Sequence, residues 1–409
     1  MLSTLIPLFD ENMNVKAYSL FTLKDNYLLN PRSIGTGAND GAGYIAGLEV
    51  LNSIGLETLS DDREVFVEVN HISIYADIAA QCTVPNDRVV LLLSTQIEPT
   101  DDMVARIEAL KEQGFKLAMR KLQVSDFQRY TPILNLLDYV FLNPSKIDIS
   151  KARIYFSKLF PGIELCAVNV NTKEDFEELK IAGGYKYYEG EFFRKPVSAI
   201  DTKVTPLKIN YIELMNIVND VDFDLSTTAD VISRDASLVI SVLKIANKLA
   251  RNSEITSVRH ACAMIGQKEL KRWINTALTG ELCADRPSEL IRMVMLRAKF
   301  AEELAGLFGF ATASDELFLM GLFSMLDVML DVPMERALGM VVLSNDIRQS
   351  ILGEDGKYSE VMQFITDYEN ANWTGLSRAM VVKEIDVKEV AEKYTDSLSW
   401  YHQMFATED

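Results

Sequence analysis

The sequence predicts two successive folds, an α/β half with parallel strands over residues 1–197 and an all-helical half over residues 209–409. Three observations carry this. Short apolar runs such as Val65-Phe66-Val67-Glu68-Val69 and Val89-Val90-Leu91-Leu92-Leu93 alternate with amphipathic stretches in the first half. From Asn210 onward apolar residues recur at helical spacing, with no convincing strand among them. Between the halves, Pro196, Pro206 and scattered charges mark residues 198–208 as a linker. A chain of 409 residues has room for two such domains and a large core.

In the first half, Pro7-Leu8-Phe9-Asp10 to Tyr18-Ser19-Leu20 reads as strand, turn and strand. Asp101 to Gln113 forms a helix with Met103, Ile107 and Leu110 on one face, closed by Gly114. Phe115 to Met119 is the next strand, residues 138–142 and 163–168 are two more, and Lys173 to Ile181 is a helix.

This order resembles the EAL domain, a (β/α) barrel that hydrolyses the bacterial second messenger cyclic di-GMP, although the segment is shorter than a usual EAL domain. Three separated landmarks carry the resemblance: the opening Pro7-Leu8-Phe9…Tyr18-Ser19-Leu20, Gly114-Phe115-Lys116-Leu117-Ala118-Met119, and Tyr188-Glu189-Gly190-Glu191-Phe192-Phe193-Arg194-Lys195-Pro196. An EAL phosphodiesterase holds two divalent cations at the strand ends with carboxylates and an Asn, to activate water. By the resemblance, those positions fall here on Ser19, Glu68, Leu92, Arg120-Lys121, Phe141, Asn143, Val168, Asn171 and Glu189. Two cations at Arg120-Lys121 repel metal rather than bind it. The resemblance therefore implies a barrel without phosphodiesterase activity. Arg120 and Lys121 are expected on a solvated rim, with an anion-binding role as the alternative.

In the second half, Ile212 to Val218 is the first apolar helix face. Leu225-Ser226-Thr227-Thr228 opens a second helix with Ser or Thr as its cap, and Asp235-Ala236-Ser237-Leu238 leads into a third over Val239 to Ala250. The central helix is expected from Ser314 to Leu330. Ser314 can cap it, and Asp315 and Glu316 complement its dipole. It is then apolar all round and so belongs in the middle of a bundle. Gly321 inside it points to a neighbouring backbone close by. The methionines at 293, 295, 320, 325, 329, 334 and 340 read as adaptable core. Asp386 to Trp400 is amphipathic, with Val390, Tyr394 and Leu398 on one face, and either docks back on the bundle or offers a partner helix.

This half resembles the HDOD domain, an all-helical relative of the HD phosphohydrolases found in bacterial signalling proteins. The resemblance rests on Asp235-Ala236-Ser237-Leu238, Lys244-Ile245-Ala246-Asn247, Ile255-Thr256-Ser257…Ile265-Gly266 and the central helix. It continues through Val332-Pro333, Ala337-Leu338, Gly353-Glu354-Asp355-Gly356 and Tyr368-Glu369…Trp373. Where HD enzymes carry His-Asp, Ser324-Met325 stands after Gly321-Leu322-Phe323. With three histidines in the chain, His71, His260 and His402, an HD metal centre has too few ligands. His260 is expected to serve a helix cap or an interface.

The net charge of −18 is shared by both halves and no basic run offers a phosphate track, which argues against nucleic-acid binding. The four cysteines lack Cys-x-x-Cys spacing and read as buried apolar side chains in a reducing compartment. No basic n-region opens the chain, and no apolar run reaches the roughly 20 residues of a membrane span. A cytoplasmic protein is expected, without membrane insertion. The resemblance to EAL–HDOD signalling proteins implies a non-enzymatic adaptor or regulator of motility, surface attachment or biofilm formation. It would act on an unidentified protein partner, with no cofactor and no catalytic, metal or cofactor-binding residue, and homo-oligomerisation stays open. The alternatives are a non-hydrolysing sensor of cyclic di-GMP or another nucleotide, and a phosphohydrolase with relocated residues.

Overall fold

The computed structural model describes residues 1–26, 28–29, 43–195, 203–220, 222–233, 236–250 and 255–405. Asp235 and residues 198–202 of the expected linker lie outside these. Eight strands close into a barrel in chain order: β1 Leu2–Phe9, β2 Val15–Leu23, β3 Glu64–Val69, β4 Val89–Leu93, β5 Lys116–Met119, β6 Tyr139–Leu142, β7 Glu164–Ala167 and β8 Tyr187–Tyr188. β1 runs antiparallel to both β2 and β8, and the remaining pairs are parallel. The shorter segment thus still completes a barrel.

The local chemistry explains the elements. Asp10 accepts from the backbone N–H groups of Asn12 and Asn14 at 2.8 and 2.9 Å, which turns β1 into β2. β4 is buried along its whole length, as a continuous apolar run in a parallel sheet should be. Thr100 caps helix Asp101–Glu112, whose Met103, Ile107 and Leu110 are buried. Alternate residues of the strands fill the barrel, with Ala17, Phe66, Val90, Ala118, Tyr139, Cys166 and Tyr187 in its core.

The chain forms two compact units. The first takes Met1–Lys195, Lys299–Phe318 and Glu360–Asp409; the second takes Pro196–Ala298 and Leu319–Ser359. This differs from the expected division, since residues 299–318 and 360–409 join the barrel's unit rather than the helical one. For residues 360–409 the amphipathic stripe of helix Val387–Phe405 is one reason. Its Val390 and Leu398 are buried, and the helix packs against β1. Tyr368 also binds there, its hydroxyl accepting from the Ser3 backbone N–H at 3.3 Å.

In the second unit, helix Pro206–Asn219 begins inside the expected linker, because Thr205 caps it and Pro206 suits its first turn. Asp224, not a Ser or Thr of the expected start, caps helix Leu225–Ile232. Asn247 ties helix Ala236–Leu249 to the following segment. It donates to the Ile255 carbonyl at 3.0 Å and accepts from the Ile255 N–H at 2.7 Å.

The central helix is broken into Ser314–Phe323 and Leu326–Leu330. Ser314 already has helical angles, at φ −56° and ψ −37°, and is the first residue of the helix rather than the residue before it. At the break the Ser324 hydroxyl donates to the Gly321 carbonyl at 2.7 Å, the acceptor that a continuous helix would offer to the Met325 N–H. Met325 leaves the helical region at φ −128° and ψ 26°. The close backbone approach expected at Gly321 is present: a Cβ there would lie 2.6 Å from the Ala298 Cα. Leu322, Met325 and Leu326 are buried, as are Met293, Met295, Met320 and Met329, while Met334 and Met340 are half-buried. No helix among the described residues is long and apolar enough to cross a membrane.

Candidate functional site: the barrel mouth

Side chains alternate across a strand, so residues two steps beyond the core layer face inward at the carboxyl end of the barrel. Ser19, Glu68, Leu92, Arg120, Phe141, Val168 and Glu189 hold that register: each lies two residues after a member of the core layer. Most positions inferred from family resemblance therefore converge. Asn171 does not join them; it is exposed at the start of the segment leading to helix Lys173–Ala182. Asn143 is half-buried at the rim, where its carboxamide oxygen accepts from the Ser145 N–H and hydroxyl. Leu92 and Phe141 are core.

Arg120 departs from the expected solvated rim. Its guanidinium donates to Glu189 Oε2 at 2.6 Å and to Ser19 Oγ at 3.2 Å, while the Ser19 hydroxyl also lies 3.2 Å from Glu189 Oε2. It stacks between Phe141, 4.6 Å from the ring centroid, and Phe21, 5.2 Å away. The side chains of Arg120 and Glu189 are only 13% and 10% exposed, so this is a sequestered pair. Gly190 lets it form: any Cβ there would overlap the Val170 carbonyl, and the close crossing fixes Glu189 between Ala167 and Val170. Burial, with the Glu189 carboxylate close by, holds the Cys166 thiol well above its usual range.

Lys121 behaves differently. It is exposed, adopts a left-handed backbone at φ 67°, and has no ion-pair partner among the described residues. A backbone of that kind costs a non-glycine residue about 1–2 kcal/mol and clusters at functional sites. Two cavities meet at Arg120 and Lys121. One, of about 360 Å³, is lined by Thr22, Glu68, Asn70, Ser94, Gln96 and Trp373 among others. The second, of about 650 Å³, is lined by Gln123, Ser125, Asn143, Lys146 and Glu189 among others. Trp373, Gln96 and Lys146 were not foreseen as mouth residues. Trp373 is far away in sequence, and only the docking of the C-terminal segment brings it there.

As to the cations of an EAL centre, the arrangement fits them poorly. Glu189 is engaged by Arg120, and no group of three or more His, Cys, Asp or Glu among the described residues could hold a metal ion. At Ser324, the Arg297 guanidinium donates to the hydroxyl at 2.8 Å where HD enzymes carry a ligand. His260 is exposed, and its backbone N–H meets the cap Ser257.

Residues 205–332 match the HDOD domain. The chain is similar to a cyclic di-GMP phosphodiesterase, CdgJ, of Vibrio cholerae. The identity is 23% over 367 residues, covering 88% of this chain and 84% of the relative. It is also similar to an uncharacterized protein of Bacillus subtilis, YuxH, 24% identical over 97% of both chains. A solved structure of the EAL enzyme Bd1971, in its cAMP and cyclic-di-GMP bound form, aligns with a TM-score of 0.37 and 11% identity. That alignment covers 48% of this chain and 62% of that one. These findings correct one expectation. A relative named as a phosphodiesterase matches most of the chain, so the changed ligand positions do not establish a non-enzyme, and that expectation is withdrawn.

Proposed function

We propose, for a chain that carries an HDOD domain at residues 205–332 behind an EAL-like barrel, a role in cyclic di-GMP signalling in which the barrel mouth receives the nucleotide's phosphates. The observation that carries this is Lys121, a cation without an ion-pair partner among the described residues, set on a strained backbone where two cavities meet. Lys146 adds a second exposed cation to the larger cavity. Arg120 lines both cavities with its charge directed to Glu189, so it shapes the wall and leaves the lysines to meet the anion. With Glu189 engaged by Arg120, these two lysines are, among the described residues, the mouth's cations available to a phosphate-bearing ligand.

The test is calorimetric titration of the full chain with cyclic di-GMP. Saturable binding is expected, weakened about tenfold or more by Lys121→Glu and by raised salt. Heat of dilution alone for the unmodified protein would remove the proposal. Product analysis after adding magnesium or manganese asks, separately, whether the bound nucleotide is cleaved.

A further inference from the structure

We infer that Trp373 is a stacking platform for a nucleobase of the ligand bound at the barrel mouth, and so a specificity-determining residue. This rests on the proposal that the mouth takes a phosphate-bearing nucleotide. The smaller cavity is lined by Lys121, by the half-buried Trp373 and by Gln96, which follows strand β4. Its volume, about 360 Å³, falls within the roughly 300–1,000 Å³ of small-molecule sites. An indole face beside a cation is the combination by which proteins hold a base and its phosphate together.

The indole is also held in place. Tyr368 is buried, anchored to β1 through Ser3, and meets Trp373 edge to face at 6.2 Å between centroids. The turn between them is built from specific contacts. Asn372 donates to Asp367 Oδ1 at 2.8 Å and caps helix Trp373–Lys383, and a Cβ at Gly375 would overlap the Asp367 carboxylate. Arg194, directly after the barrel closes, binds Asn370 at 3.0 Å, and Asn26 at the end of β2 donates to the Ser377 carbonyl at 2.9 Å. A filler side chain needs no such fixing from three directions, whereas a platform that orients a planar ligand does.

The experiment compares the full chain with Trp373→Ala and Trp373→Phe, titrating each with cyclic di-GMP and with inorganic pyrophosphate, a probe with phosphates and no base. Loss of the stack should weaken cyclic di-GMP binding roughly 10- to 100-fold. Trp373→Phe should recover most of that, and pyrophosphate affinity should stay within about twofold. Thermal melts of both variants confirm that the fold persists. Unchanged nucleotide affinity in Trp373→Ala overturns the stack while leaving the phosphate site standing. Equal weakening of both probes also overturns it, since the indole then only shapes the cavity. Failure of the unmodified protein to bind either probe removes the site and the stack together.

Discussion

Arg120 and Glu189 are 69 residues apart and meet only because β5 and β8 close one barrel. Removing one partner leaves the other charged and sequestered, so Arg120→Met should lower unfolding free energy by about 3 kcal/mol in urea titration. Arg120→Met with Glu189→Met should cost less than the single change. If the double variant is the weaker of the two, the pair is not the unit described. A second residue-scale expectation concerns Asp327. Burial pushes its carboxyl up to about 6, against the favourable backbone N–H of Val328 and the charge of Arg297. The folded state therefore binds more protons than the unfolded chain between about pH 4 and pH 6. This group's contribution is fully present below that window and is lost as pH rises through it. Asp327→Asn should flatten that part of the stability–pH curve and raise stability above pH 7 by about 2–3 kcal/mol. An unaltered curve would count against the assignment.

At the scale of elements, the inward register of the mouth was legible, since strand alternation and family landmarks both place Ser19, Glu68, Arg120 and Glu189 at strand ends. Their partners were not legible, because an ion pair across a barrel has no local spacing. The break in the central helix was equally hidden. Ser324 stood out only as the replacement of an HD ligand; that its hydroxyl takes the Gly321 carbonyl where the helix breaks did not show in the sequence. Gly321 was readable as a close approach, although its neighbour was not. Gly321→Ala should destabilise by about 1–3 kcal/mol despite the gain in helix propensity, because the methyl would meet the Arg297–Ala298 backbone. Leu322→Ala, which removes a fully buried side chain, should cost about 2–5 kcal/mol. Melting temperatures unchanged by either substitution would show that this crossing is loosely packed.

For the whole molecule, the amphipathic stripe of the last helix announced burial without naming the surface it covers. That surface is β1. Deleting residues 360–409 should therefore strip Tyr368, Tyr394 and Leu398 from the barrel's own unit. The truncated chain is expected to lose cooperative melting of the barrel, monitored by near-ultraviolet circular dichroism. A sharp transition retained at the original temperature would show that the segment is dispensable.

The interleaving of the two units also bears on synthesis. Strand β1 is covered by helix Val387–Phe405, translated long after it, so the barrel's unit stays incomplete until that helix has emerged. At about 5–20 residues per second, the stretch from β1 to that helix takes on the order of 20–80 s to emerge. For much of that interval the apolar face of β1 lies open to passing chains. This order of assembly ties early survival to helix Val387–Phe405, and a stop codon ahead of it would expose in the newborn protein what the longer chain conceals.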